Sequence, residues 1–154
     1  MSDEYLHGVK VTEIAEALRT LTTSSTAVIG LVATAADADA TVFPLNKPTL
    51  LTGITAEVQA KAGKQGTLSR ALDGIADIVN CKVVVIRVEE SDDESTMKAN
   101  VIGTVDSDGN YTGLKAFLVS DAGCGVKPRI CCVPKYDSQD VTSELLSVAK
   151  KLNG

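Results

Sequence analysis

The stretch "CKVVVIRVEE", residues 81–90, has an unbroken apolar centre at residues 83–86 with charged residues on both sides. A short run of β-branched residues of this kind is typical of a strand that is buried on both faces. A second such run is "STAVIGLVATA", residues 25–35. We predict shorter strands at "PTLLTG", residues 48–53, and at "KPRICCVP", which ends at Pro134. These four segments are the candidates for one buried sheet.

Helical patterns separate these strands. "TAEVQAKAG" opens with Thr55 as a predicted N-cap, and "QGTLSRALDGIADIVN", residues 65–80, has Thr67 in the same role. Apolar residues recur at helical spacing in the second segment, namely Leu68, Ala71, Leu72, Ile75, Ile78 and Val79. Further helices are predicted at residues 91–103, 112–123 and 138–154. Strands that alternate with helices predict an α/β fold, with a mostly parallel sheet flanked by helices.

The N-terminal segment has a different pattern. "YLHGVKVTEI", residues 5–14, places Tyr5, His7, Val9 and Val11 on one face, as in a strand with one buried side. Residues 15–24 are rich in Thr and Ser and predict a flexible linker. We therefore predict an extended N-terminal β-arm and linker at 1–24 and an α/β domain at 25–154. Because the last predicted helix is not followed by a strand, we expect this domain to continue in further strands.

Composition narrows the function classes. The 154 residues are 44% hydrophobic and carry a net charge of −5, which is typical of a globular domain and not of a phosphate-backbone binder. Aromatic residues make up 3%, so a base-stacking surface is not expected. No signal peptide or membrane-spanning run is predicted. The four cysteines do not have the spacing of a disulfide framework or a metal knuckle, and a reducing cytoplasm is the expected compartment.

Two glycine-containing stretches partly match nucleotide-binding motifs. "AGKQGTLS", residues 62–69, lacks the hydroxyl residue directly after its lysine and the full glycine spacing of a phosphate loop. "GCGV", residues 123–126, precedes a strand, whereas the dinucleotide fingerprint follows one. Neither stretch predicts a cofactor site, and a turn is the expected role of the first.

The remaining chemical side chains give no recognisable active site. His7 is the single histidine, so neither a His-based triad nor a multi-His metal site is predicted within one chain. Cys131 and Cys132 are neighbours in a predicted strand and should point to opposite faces, where packing is the expected role. "EESDDES", residues 89–95, lacks the glycine spacing of a calcium loop and predicts a solvated loop that enters a helix. We therefore predict no catalytic, cofactor-binding or metal-binding residues.

The ordered set of motifs resembles the contractile tail sheath proteins of myophages and R-type pyocins. The matching stretches are "LHGVKVTEI", "SSTAVIGLVATA", "FPLNKPTLLTG", "GTLSRALDGIADIVNCKVVVIRV", "NVIGTVDSDGNYTGLKAFL" and "GVKPRICCVP". Together they cover essentially the whole chain. The chain departs from the family in two ways, since family members are much longer and carry aliphatic residues at the positions of Cys131 and Cys132.

The resemblance implies a structural, non-enzymatic machine part. Subunits of this family stack as hexameric rings around a tail tube, and a trigger at the baseplate lets the sheath contract and drive the tube into a target cell envelope. The implied partners are neighbouring sheath subunits, the tail tube protein, and baseplate and tail terminator components, with no nucleic acid and no membrane insertion. The implied location is the virion tail or a phage-tail-like particle, assembled in the bacterial cytoplasm.

The resemblance also assigns a role to the N-terminal arm. In this family the arm adds a strand to a sheet in the C-terminal domain of a neighbouring subunit, and main-chain hydrogen bonds supply the affinity. The implied strand-addition residues are Tyr5, Leu6, His7, Gly8, Val9, Lys10, Val11, Thr12, Glu13 and Ile14. The alternative to a sheath subunit is a small α/β nucleotide-binding or enzymatic domain.

Overall fold

The computed structural model of the chain describes residues 28–153. Strands and helices alternate along this part of the chain. The strands are β1 (Val28–Thr34), β2 (Pro48–Leu51), β3 (Lys82–Val88) and β4 (Ile130–Cys132). The helices are α1 (Ala56–Lys61), α2 (Leu68–Ile78), α3 (Glu94–Ile102), α4 (Ser120–Cys124) and α5 (Gln139–Asn153), with a 3-10 helix at Gly113–Val119 directly before α4.

The four strands form one sheet in the order β2-β3-β1-β4. β1 pairs in parallel with both β3 and β4, whereas β2 pairs antiparallel to β3. The predicted α/β fold with a mostly parallel sheet is confirmed, and the reversed direction of β2 makes the sheet mixed. We call the end at which β1, β3 and β4 begin the amino end of the sheet, and the opposite end the carboxyl end.

Helices cover both faces of the sheet. The connection from β1 to β3 places α1 and α2 on one face, called the α2 face, and the connection from β3 to β4 places α3 and the 3-10 helix on the other, called the α5 face. The alternation of β3 sends Val83 and Val85 into the α2-face core, and Val84 and Ile86 into the α5-face core. Because both faces are buried, the central strand is apolar at consecutive positions instead of alternate ones.

Local side-chain chemistry accounts for the helix starts. Thr55 caps α1 as predicted, since its hydroxyl accepts a hydrogen bond from the Val58 N–H at 3.4 Å. Asp93 caps α3, because its carboxylate accepts from the Thr96 N–H at 2.8 Å. Each cap satisfies a backbone donor that the first turn of the helix leaves free.

Thr67 is the N-cap residue of α2 as predicted, but its side chain makes no capping hydrogen bond. Its hydroxyl accepts from the Thr34 N–H at 3.1 Å, and its own N–H donates to the Thr34 carbonyl at 2.9 Å. β4 pairs with β1 only as far as Leu31, so the end of β1 needs other partners for its buried backbone groups. Thr67 supplies them and joins the start of α2 to the end of β1.

The segment predicted as a helix at residues 112–123 is a 3-10 helix that passes into the short helix α4. Phe117 is fully buried there and lies against β1. A Cβ atom on Gly30 would come within 2.9 Å of both the Phe117 ring and Pro128. The absence of a side chain at Gly30 therefore lets Phe117 approach the sheet.

Helix α5 begins after Ser138, whose hydroxyl is buried without a hydrogen-bond partner. The helix packs Val141 and Val148 into the α5-face core. None of the helices in the described range is both long and apolar enough to cross a membrane.

Candidate assembly surfaces

The predicted strand-addition residues, 5–14, lie outside the described residues, so strand addition stays a prediction. The first residue that the structure describes nevertheless has a defined position. Val28 begins β1 at the amino end of the sheet, and its carbonyl accepts a hydrogen bond from the Arg129 N–H at 2.9 Å. The chain therefore enters this domain at the amino end.

A cleft of about 530 Å³ lies at the carboxyl end, between the loop after β3 and the loop after β4. Tyr136 supplies the accessible apolar surface, since Met97 also lines the cleft but is only 3% exposed. The Lys135 ammonium lies 5.5 Å from the centre of the Tyr136 ring. Its charged lining residues are Glu90, Asp92, Glu94, Lys98, Lys135 and Asp137. In open α/β sheets ligands usually bind at this end, so this cleft is where a ligand-binding or catalytic site would be expected.

Two of the carboxylates at this end, Asp93 and Glu94, are held in their charged form. Hydrogen bonds from the Thr96 side chain and backbone N–H keep the pKa of Asp93 below its ordinary value. The Lys98 ammonium, 2.8 Å from the Glu94 carboxylate, lowers the pKa of Glu94, and its own pKa is raised in return. General acid–base catalysis needs a carboxyl whose pKa lies near the working pH, and these shifts go the other way.

The glycine stretch at residues 62–69, which partly matches a phosphate loop, has a structural role. The Asp37 carboxylate accepts hydrogen bonds from the backbone N–H groups of Lys64, at 2.8 Å, and Gln65, at 3.0 Å, and these bonds lower the pKa of Asp37. A phosphate loop directs such N–H groups at its ligand. Here a side chain of the same domain already occupies them, which agrees with the predicted turn.

The vicinal cysteines point to opposite faces of the sheet, as predicted. Cys131 packs against the α5-face core and Cys132 against the α2-face core. The Cys132 thiol also donates to the Gly30 carbonyl at 3.4 Å. Burial, followed by the charge of the neighbouring thiol, raises the pKa of Cys131 to about 11, and burial raises the pKa of Cys132 as well. Both shifts favour the neutral thiol, which is a poor nucleophile.

These shifts predict slow alkylation of the folded protein at mildly alkaline pH. A pKa of about 11 in place of 9.0 leaves a roughly hundredfold smaller thiolate fraction at Cys131. We expect iodoacetamide to modify Cys131 at least about tenfold more slowly in the folded chain than in urea, and Cys132 more slowly as well. The expected factor at Cys131 is smaller than about a hundredfold, because a more basic thiolate is also more nucleophilic. Peptide mass spectrometry against time measures both rates, and equal rates in the two states would contradict the buried placement.

Exposed apolar residues gather at the amino end of the sheet. Ile78, the last residue of α2, is 86% exposed, and Val79 is 46% exposed. Ile130, the first residue of β4, is 56% exposed. Helical spacing places Ile78 and Val79 with the buried residues of α2, but both are exposed. The spacing indicates the direction of a side chain along the helix but does not indicate where the neighbouring sheet ends. This surface is therefore one that the sequence did not reveal.

The two outer strands of the sheet differ in their surroundings. β2 lies beside α4, and its Pro48 carbonyl accepts from the Cys124 thiol at 3.1 Å. β4 stands at the opposite edge and is only three residues long, which is shorter than the predicted strand. Within residues 28–153, no three His, Cys, Asp or Glu side chains are grouped as they would be to hold a metal ion.

Comparison with known proteins identifies relatives of this chain among phage proteins. The tail sheath protein of Escherichia phage P2 is 51% identical over 99% of this chain, and the match covers 39% of that protein. The chain is homologous to phage tail sheath proteins. The major tail sheath protein of Serratia phage KSP20 is 42% identical over 99% of the chain, with 39% of its own length covered. No protein-family profile matches the chain.

These relatives confirm the resemblance to tail sheath proteins that the motifs indicated. The chain spans about 39% of the length of both relatives, so this sheath homologue corresponds to one part of each. The matched part includes the four-stranded domain with its carboxyl-end cleft, its apolar amino end and the N-terminal residues that precede β1.

Proposed function

We propose that this chain is part of a structural subunit of a contractile phage-tail-like sheath, which polymerises around a tail tube. The main support for this proposal is the 51% identity to the P2 tail sheath protein over 99% of this chain. The domain is consistent with a structural role, since its sheet is buried on both faces and the pKa values of Asp93 and Glu94 at the carboxyl end are lowered.

The proposal also includes contraction of the sheath and penetration of the cell envelope by the tube. The subunits would stack as hexameric rings in a virion tail or phage-tail-like particle, assembled in the host bacterial cytoplasm. They would contact neighbouring subunits, the tail tube, the baseplate and the tail terminator. The work would come from differences in packing between two arrangements of identical subunits, and no enzymatic step is needed. A two-layered core supports this, because close-packed interiors resist deformation and let a domain move as a unit.

Strand addition by residues 5–14 is the proposed link between subunits. Their alternating pattern fits a strand that adds to the edge of a neighbour's sheet, where the backbone supplies affinity and alternate side chains fix the register. The segment 15–27 joins this arm to β1 and could span at most about 45 Å when fully extended. A connection of that length can join neighbours while allowing them to shift relative to each other.

The domain organisation is proposed on the same basis. Residues 1–24 form the arm and linker, and residues 25–154 form an α/β unit that continues into further strands and a C-terminal domain. β4 is an edge strand, and α5 packs on the α5 face directly after it. A right-handed crossover through α5 would bring a following parallel strand to the outer side of β4.

Proline in the arm tests the assembly proposal. Proline removes a backbone donor and does not fit inside a strand ladder, so Val9→Pro or Val11→Pro should block strand addition. We expect incorporation into sheaths, measured by co-expression with the P2 tail sheath protein and electron microscopy, to fall by at least about tenfold. The Tm of the isolated chain should not change.

Lys10→Ala is the matched control, because it alters the opposite face of the arm and keeps every backbone donor. It should be incorporated like the unaltered chain. Normal incorporation of both proline variants would show that the arm does not join subunits, and a lowered Tm would show that the arm pairs within its own chain. If the unaltered chain never enters sheaths, the assembly proposal itself fails.

The second candidate is a nucleotide-binding or enzymatic α/β domain, and the cleft of about 530 Å³ at the carboxyl end is the observation that favours it. Thermal unfolding with a panel of nucleotides separates the two candidates. A Tm that rises with the concentration of one nucleotide would favour the second candidate. The sheath proposal expects the same Tm with every nucleotide.

A further inference from the structure

The apolar amino end is the feature of this domain that neither core explains. Ile78, Val79 and Ile130 are all large, apolar and about half exposed or more. They belong to the end of α2, the loop that follows it and the start of β4, each of which lies at the end where the parallel strands begin. Apolar groups gathered at one end of a domain are typical of a contact surface.

Lysines accompany these apolar residues. Lys82, the first residue of β3, is exposed, and Lys127 lies shortly before β4 with Asp121 as its ion-pair partner at 3.6 Å. α5 begins beside the carboxyl-end cleft, and its 15 residues extend about 22 Å, close to the length of the seven-residue strand β1. The exposed side chains of Lys150 and Lys151 in its last turn therefore lie toward the amino end.

The carboxyl end has the opposite charge. Acidic side chains lie in the loop after β3, in the first turn of α3 and in the loop after β4, namely Glu89, Glu90, Asp92, Asp93, Glu94 and Asp137. Lys98 and Lys135 line the same cleft, so the surface is mixed but mainly acidic. The separation along the strand direction is partial, because exposed Asp77 lies beside Ile78 at the amino end and exposed Arg70 lies near Lys135 at the carboxyl end. Lysines predominate beside the apolar residues of the amino end, and carboxylates predominate in the cleft.

We propose that the amino end of one copy of this chain docks on the carboxyl end of a second copy. In this contact Ile78, Val79 and Ile130 lie against Tyr136 in the cleft, and Lys150 and Lys151 face Glu90 and Asp92. The proposal rests on the proposed sheath function, which requires copies of one chain to associate, and it adds the two surfaces through which they do so.

The charge arrangement selects a second copy over other occupants. Both halves of the contact are present on the same chain, so each copy offers a basic, apolar end and an acidic cleft. A contact between two unlike surfaces does not close on itself unless rotation forms a ring, and it therefore continues from copy to copy. Opposite charges guide such a pairing, whereas two like ends would repel each other.

Sedimentation velocity over a range of protein concentrations tests the apolar half of the contact. We expect the unaltered chain to associate with rising concentration, and the double variant I78E/I130E to need at least about tenfold more protein for the same association. Both residues are exposed, so the Tm should stay the same. L146E is the matched control, because Leu146 is 55% exposed on α5 and outside the proposed contact. A chain that stays monomeric at every concentration, or an effect of L146E as large as that of I78E/I130E, would overturn the proposal.

A charge exchange tests which two ends meet. The variants K150E/K151E and E90K/D92K should each weaken association by about tenfold, and an equimolar mixture of the two should restore it. In the mixture the reversed amino end of one variant meets the reversed cleft of the other. The control is E57K/K61E, which reverses the ion pair within α1 and should change nothing. Failure of the mixture to recover would overturn the pairing of these ends.

The arm variant separates this proposal from the assembly proposal. Val9→Pro should block incorporation into sheaths but leave concentration-dependent association of the isolated chain unchanged. Loss of association in I78E/I130E together with retained association in Val9→Pro supports the end-to-end contact. If I78E/I130E associates normally while Val9→Pro still fails to enter sheaths, the contact is wrong and the assembly proposal stands.

Discussion

Replacing Gly103 with alanine is expected to lower the free energy of unfolding by about 2–5 kcal/mol, through backbone strain and overpacking together. Gly103 follows α3 with a φ of 72° and a ψ of 167°, a backbone conformation that essentially only glycine adopts. An added methyl group would overlap the Thr112 carbonyl group and come within 2.8 Å of the Gly113 nitrogen. The chain cannot easily move away, because the Thr104 N–H donates to the Thr112 hydroxyl at 2.8 Å and the Thr112 N–H donates to the Thr104 carbonyl at 2.9 Å.

Gly109→Ala is the matched control for this variant. Gly109 has a φ of 81°, but a Cβ atom there meets nothing within 4 Å. The Gly109→Ala variant should lose only the free energy of unfolding that comes from backbone strain, about 1–2 kcal/mol. Urea unfolding followed by circular dichroism gives both values. Equal losses at the two glycines would show that the close approach of residues 103 and 112 does not constrain the fold.

Phe117→Ala is expected to cost about 3–5 kcal/mol, because it removes a fully buried aromatic ring and leaves a cavity. The ring lies over β1 at Gly30, which has no side chain to fill the space. The 3-10 helix that carries Phe117 cannot sink far, since it is held between α5 and the sheet. The effect should therefore lie well above that of a surface change.

Leu146→Ala is the control for the ring deletion. Leu146 is 55% exposed on α5, so its truncation should change stability by less than about 0.5 kcal/mol. The same urea titration compares the two variants. A Phe117→Ala variant as stable as Leu146→Ala would mean that the α5-face core does not depend on this ring.

The sequence predicts the central strands and most helices because their signals are local. β1 and β3 are consecutive apolar runs, and the spacing of Leu68 and Leu72 fixes the buried side of α2. The direction of β2 is not a local property, since it depends on which strand β2 meets after the loop. The 3-10 geometry at residues 113–119 likewise follows from tertiary packing, in which Phe117 approaches Gly30.

Thr67 and Ile78 show the same limit at the two ends of α2. A hydroxyl before a helix predicts a cap, but the nearby end of β1 offers a buried N–H that uses the same oxygen. Helical spacing predicts an inward Ile78, but the sheet does not extend far enough to cover it. Both differences depend on where a neighbouring strand or sheet ends, and the periodicity of the sequence does not indicate that position. The arm at residues 5–14 remains a prediction from its alternation and from the resemblance to sheath proteins.

Because β1, β3 and β4 run in the same direction, the domain has two chemically different ends. If copies join through these two ends, every copy in the polymer points the same way, and the two tips of the polymer present different chemistry. One tip offers an acidic cleft and the other a group of isoleucines among lysines. A protein that starts the polymer at one tip would then have no complementary surface at the other, so growth could be initiated and stopped by two different partners.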